Sequence, residues 1–168
     1  MHPRLPPVAI ALGIAGLIPF ILLGIAAVGV LNPVQAARYL LALVAYGGVV
    51  LAFLGGVHWG FVLHPDTLPP DMTPDTRRDA VRLGLGVLPS LIGWAALLTP
   101  AIGVPDVGLA ILIAGYLAVV LGEHQMRRRG LPISGSYMTL RWILSIVVLV
   151  VLITVLALRL IGAKITFL

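Results

Sequence analysis

His58, Glu123, His124, Tyr137 and Arg141 are the residues of this chain whose types could do chemistry, joined by Trp59 and Arg82. They supply two imidazoles, a carboxylate, a phenol, an indole and two guanidiniums. Such a set holds an anion, a proton or a haem iron when it converges, and is only a polar rim when it does not. Cysteine is absent, which excludes disulfides, thiolate metal sites and cysteine nucleophiles. His58 and His124 fall on different apolar segments at similar depth, as the two axial ligands of haem b require. Haem through that pair is kept as a second reading; the first expects no cofactor. Zinc is disfavoured because Glu123 and His124 are adjacent and therefore diverge by about 100° on a helix. No nucleophile elbow, glycine-rich phosphate loop or His-Glu-x-x-His helix occurs, so conventional hydrolase and nucleotide chemistry has no support, and no metal site is expected.

The elements that position these residues are set by hydropathy. The chain is 60% hydrophobic and only 10% charged, with a mean hydropathy of +1.12. A soluble domain carries about a quarter charged residues, so this chain has too little polar surface to cover a soluble globule. Five apolar segments follow, at about 7–30, 36–63, 74–99, 106–125 and 138–162. Each is long enough, or nearly so, to cross a hydrocarbon core of about 30 Å. The prediction is an all-α fold, a polytopic membrane helical bundle of five transmembrane helices forming one domain over residues 1–168. Asn32-Pro33 and Thr73-Pro74-Asp75 each place a capping residue before a proline at the first helical position. Pro19, Pro89, Gly84, Gly86 and Gly93 read as kinks and close contacts within helices. The first segment exceeds the usual 7–15-residue core of a signal peptide, so it is expected to stay on the protein despite the small-residue site Val34-Gln35-Ala36.

Positive charge gives the orientation. With five crossings, one side carries Arg4, Arg77, Arg78, Arg82, Arg127, Arg128, Arg129 and Arg141, and the other Arg38, Arg159 and Lys164. Eight against three predicts the N-terminus inside and the C-terminus outside. The net charge of +5 is then a topology signal, and no nucleic-acid partner is expected. Tyr39–Val57 spans roughly 28 Å at the helical rise, which places His58 and Trp59 at the inner boundary. Arg82, Glu123, His124, Tyr137 and Arg141 share that depth, although depth does not fix facing.

Each residue also has a bland explanation. Trp59 suits an interfacial aromatic belt, His58 an interfacial polar group. Glu123 precedes Arg127 by four, the favourable order for an exposed ion pair. Against this, only sixteen residues separate Glu123 from Asp106. One of these acids is then drawn toward hydrocarbon and needs a partner, for which Arg141 is the candidate. Arg127-Arg-Arg129 reads as a topology determinant touching anionic headgroups.

The run Tyr46-Gly-Gly-Val-Val-Leu-Ala-Phe-Leu-Gly-Gly-Val-His-Trp-Gly60 places Gly55, Gly56 and Gly60 on one apolar helix. Gly56 and Gly60, four apart, permit close approach of another helix. That run, with Gly130-Leu-Pro132, Tyr137-Met-Thr-Leu-Arg-Trp142 and the opening Pro3-Arg-Leu-Pro…Leu17-Ile-Pro-Phe20, resembles the family of small proteobacterial inner-membrane proteins related to mitochondrial transmembrane protein 69, a domain of unknown function. The resemblance covers nearly the whole chain. It departs at Ser136, where an aromatic is expected, and at Ser145, where threonine is more familiar. It implies a bacterial, multi-pass inner-membrane location and no reaction. Its motif positions here are Tyr46, Gly55, Gly56, His58, Trp59, Gly60, Glu123, Tyr137 and Arg141.

Two functional readings result. The first is a non-enzymatic accessory, assembly or packing subunit that touches membrane lipids and meets other membrane subunits through helix two. The second is a small-molecule site for haem, quinone or lipid headgroup at the polar cluster. Five helices without inverted halves or a midplane acid argue against a transporter.

Overall fold

The computed structural model describes residues 6–63, 76–128 and 135–162, with the side chains of residues 58, 61–63, 76–82, 85 and 126–128 excluded. Six helices form in these residues: α1 (Pro7–Ala15), α2 (Leu17–Gly29), α3 (Pro33–Leu63), α4 (Thr76–Leu98), α5 (Pro105–Arg128) and α6 (Gly135–Leu160). α1 and α2 are one apolar run, Pro7–Gly29, divided at Gly16. Pro19 lacks the N–H that would bond the carbonyl of Ala15, and the ladder loosens beside it. The Tyr46 hydroxyl of α3 donates to the Gly16 carbonyl at 2.9 Å, holding the division against the next helix.

α3 starts at Pro33, three residues before the hydropathy boundary, because the Asn32 side chain accepts from the backbone N–H of Val34 (2.9 Å) and Gln35 (3.3 Å). The matching signal at Thr73-Pro74 lies outside the described residues. At 31 residues, α3 runs about 46 Å, longer than a hydrocarbon core is thick. Among the described residues four helical spans are long and apolar enough to cross a membrane: Pro7–Gly29, Pro33–Val57, Pro105–Gln125 and Gly135–Leu160. α4 has a shorter apolar part, Gly86–Leu98.

Consecutive rods pack against one another, α6 returns to α2 to close the ring, and α3 meets α5 across its middle. The centre is filled by Phe20, Leu43, Leu51, Leu112, Tyr116 and Leu152. Phe20 presents its edge to both Tyr46 and Tyr116 at centroid distances of 5.0 and 6.2 Å. Tyr116, 1% exposed, spends its hydroxyl on the Gly47 carbonyl at 2.9 Å. A phenol in such a place is tolerated because its polar tip has an acceptor.

Glycine decides how α3 meets α4. A Cβ on Gly93 would lie 2.7 Å from the Gly48 carbonyl oxygen, and one on Gly86 3.0 Å from that of Gly55. The ring of Pro89 covers Gly55 at 3.1 Å from its missing Cβ. Two glycines seven apart on one helix thus face two seven apart on the other, and the backbones touch without side chains between them. Gly86, Gly93 and Pro89 act as the close contacts the sequence predicts, whereas Gly84 has nothing within 4 Å of its Cβ position. The turn into α5 uses Gly103 at φ 82°, a conformation that L side chains rarely adopt.

Candidate functional site

α5 and α6 run antiparallel and are joined by an ion pair at each end. Arg141, six residues into α6, donates from Nε to Glu123 Oε2 at 3.0 Å and from Nη2 to Glu123 Oε1 at 2.7 Å. This is a two-point fork in which both charges are buried, Glu123 at 4% and Arg141 at 7% exposed. Some 27 Å along α6, Arg159 grips Asp106 through Nε and Nη2. The second pair is partly exposed, and each member suits its helix end: Asp106 in the first turn of α5, Arg159 in the last of α6.

The fork places three of the predicted residues together. Besides Glu123 and Arg141, Tyr137 lies one turn before Arg141 on α6. Glu123 is a buried group and not an exposed one, while the side chain of Arg127, its other candidate partner, lies outside the described residues. The two carboxylate oxygens of Glu123 are taken by Arg141, and a buried carboxylate needs such a cation. His124, the next residue, turns away by about 100° and lies edge-on to Trp142 at 6.0 Å.

Trp59 belongs to a different contact. Its indole N–H donates to the Leu83 carbonyl of α4 at 3.2 Å. Its ring covers Gly86, whose missing Cβ would sit 2.6 Å from Trp59 Cδ1. The indole thus seals the α3–α4 seam, with 43% of the residue still exposed. The side chains of His58 and Arg82 lie outside the described residues, and so does the haem geometry predicted through His58 and His124.

The glycines of α3 divide by face. Gly55 is buried under Gly86 and Pro89, while Gly56 and Gly60 are exposed, with nothing among the described residues within 4 Å of their Cβ positions. Sequence reasoning missed Gly48 and its pairing with Gly93, although the repeated seven-residue spacing 48/55 and 86/93 was there to be read. It also missed the Asp106–Arg159 pair, which the shared helix-end positions would have suggested.

Chemically, the fork is a buried, mutually neutralising pair with two-point geometry, suited to locking two helices in register.

Among known proteins, Transmembrane protein 69 of Xenopus tropicalis is 36% identical over 123 residues, 68% of this chain and 44% of the relative. Transmembrane protein 69 of Mus musculus is 36% identical over 93 residues, 55% of this chain and 34% of the relative. The chain thus spans less than half the length of either relative. No solved structure matches it. The family model described as protein of unknown function (DUF3429) matches residues 5–157, and on that match this multi-pass helical membrane protein belongs to the DUF3429 family.

Proposed function

We propose that this protein is a non-enzymatic accessory or packing subunit of a bacterial inner-membrane complex, docking through the outward face of α3. The observation that carries the reading is the state of Gly56 and Gly60: exposed, four apart, and untouched within 4 Å by the described residues. Val49 and Phe53 continue the same face and are 67% and 72% exposed, so the stripe offers two apolar knobs followed by two glycine hollows. Membrane helices associate by such close packing, since burial of apolar surface gains little in lipid. The fork at Glu123 and Arg141 supports the same reading, because both charges are buried and each neutralises the other.

A photo-crosslinking residue at Phe53 tests the proposal. The expected result is a discrete polypeptide adduct that disappears in Gly56→Leu, while membrane insertion is kept. Adducts to lipid alone, or a polypeptide adduct unchanged by Gly56→Leu, would overturn it.

A further inference from the structure

At the end of the bundle opposite the Glu123–Arg141 fork, the ring opens into a groove of about 790 Å³ between the α2–α3 corner, the turn into α5 and the end of α6. Among the described residues its cationic side chains are Arg38 and Arg159. Arg159 is held by Asp106. Arg38 is exposed, and the described carboxylates of Asp106 and Glu123 bond arginines of α6 instead. Among the described residues the lining holds two guanidiniums, one of them paired with Asp106, and its other members are apolar.

A second, smaller furrow of about 160 Å³ lies beside it. The two share Val28 and Leu158. The furrow runs between α2 and α6 over Gly24, Ile25, Val151 and Thr154, is almost wholly apolar, and extends about 12 Å along α6 from Leu158 to Val150. Gly24 forms part of its lining, and a Cβ there would lie 2.8 Å from Val151 Cγ1, so a larger residue would have to displace that side chain. A charged mouth beside an apolar trough at membrane depth matches one kind of molecule.

We infer that the groove and the furrow beside it form a specific site for an anionic phospholipid, its phosphate on Arg38 and the free donors of Arg159, one acyl chain in the α2–α6 furrow. A free phosphate would leave the trough unused. A zwitterionic lipid would bring a choline or ethanolamine cation toward the arginines and gain less from them. This site is independent of the α3 docking face, so either proposal can fail alone.

The experiment is native mass spectrometry of the delipidated protein in detergent, titrated with phosphatidylglycerol or phosphatidylcholine of matched chains, and with glycerophosphoglycerol, which carries the headgroup without chains. The expected result is one retained phosphatidylglycerol, preferred about fivefold over phosphatidylcholine, and no retained glycerophosphoglycerol. Arg38→Gln should abolish the preference and Arg38→Lys keep it, while Thr154→Phe, filling the furrow from an exposed position, should weaken retention of both lipids. Equal retention of the two lipids by the unaltered protein, or a preference surviving Arg38→Gln, would overturn the site. Retention of glycerophosphoglycerol, or lipid retention unchanged by Thr154→Phe, would overturn the seat of the acyl chain.

Discussion

At the scale of the residue, the Glu123–Arg141 fork concentrates the largest single energetic risk in the described chain. Each member is tolerable only because of the other, so removing one leaves an uncompensated buried charge. Arg141→Ala should therefore destabilise the bundle by about 3–5 kcal/mol, whereas Glu123→Leu combined with Arg141→Met should be close to neutral. Thermal unfolding in detergent, followed by tryptophan fluorescence, checks this. Similar losses in the single and double variants would mean that packing volume, and not charge pairing, holds α5 to α6. Asp106→Ala should cost much less, about 1 kcal/mol or below, since the Asp106–Arg159 pair is partly solvated.

At the scale of the element, α3 and α4 are joined by absent side chains. The Gly48/Gly93 and Gly55/Gly86 contacts bring two backbones together, and any Cβ there meets backbone that cannot rotate away. Gly93→Ala is expected to force the helices apart at a cost of about 1–3 kcal/mol. Gly84→Ala, on the same helix with open space at its Cβ, should instead be neutral or gain up to about 1 kcal/mol from reduced backbone freedom. Comparing the two midpoints in one unfolding series separates the contact from the intrinsic effect of glycine in a helix. Equal shifts would show that the α3–α4 seam does not depend on glycine. Trp59 closes the end of this seam, so its indole acts as a helix-packing group as well as an interfacial one.

At the scale of the whole molecule, the open question is how the ring sits in the bilayer. The positive charges predict that the turn between α4 and α5 faces outward and the start of α6 inward. The apolar part of α4, Gly86–Leu98, covers only about 20 Å, so α4 carries this topology. A cysteine-free chain allows a direct check with Ile102→Cys and Ser136→Cys, both at exposed positions. A membrane-impermeant maleimide applied to intact spheroplasts should label position 102, and label position 136 only after permeabilisation. The reverse pattern would invert the molecule, and equal protection of both sites would mean that α4 does not cross.

The sequence by itself determined the features that are local. Apolar runs marked the helices, Asn32-Pro33 marked the start of α3, Pro19 marked the division of the first span, and the lack of charge required a membrane. Arg141 could be nominated for Glu123 because both sit at one depth, and depth follows from counting residues at a fixed rise. Tertiary structure decided everything that depends on rotation about a helix axis. Gly55 and Gly56 are neighbours in sequence, yet the 100° step between them puts one against α4 and leaves the other outside. The same step gives Glu123 to Arg141 and His124 to Trp142. It also sends Trp59 to the α4 seam, although depth alone grouped it with the fork. Facing is set jointly by all the helices that pack, and no single helix carries that information in its own residues.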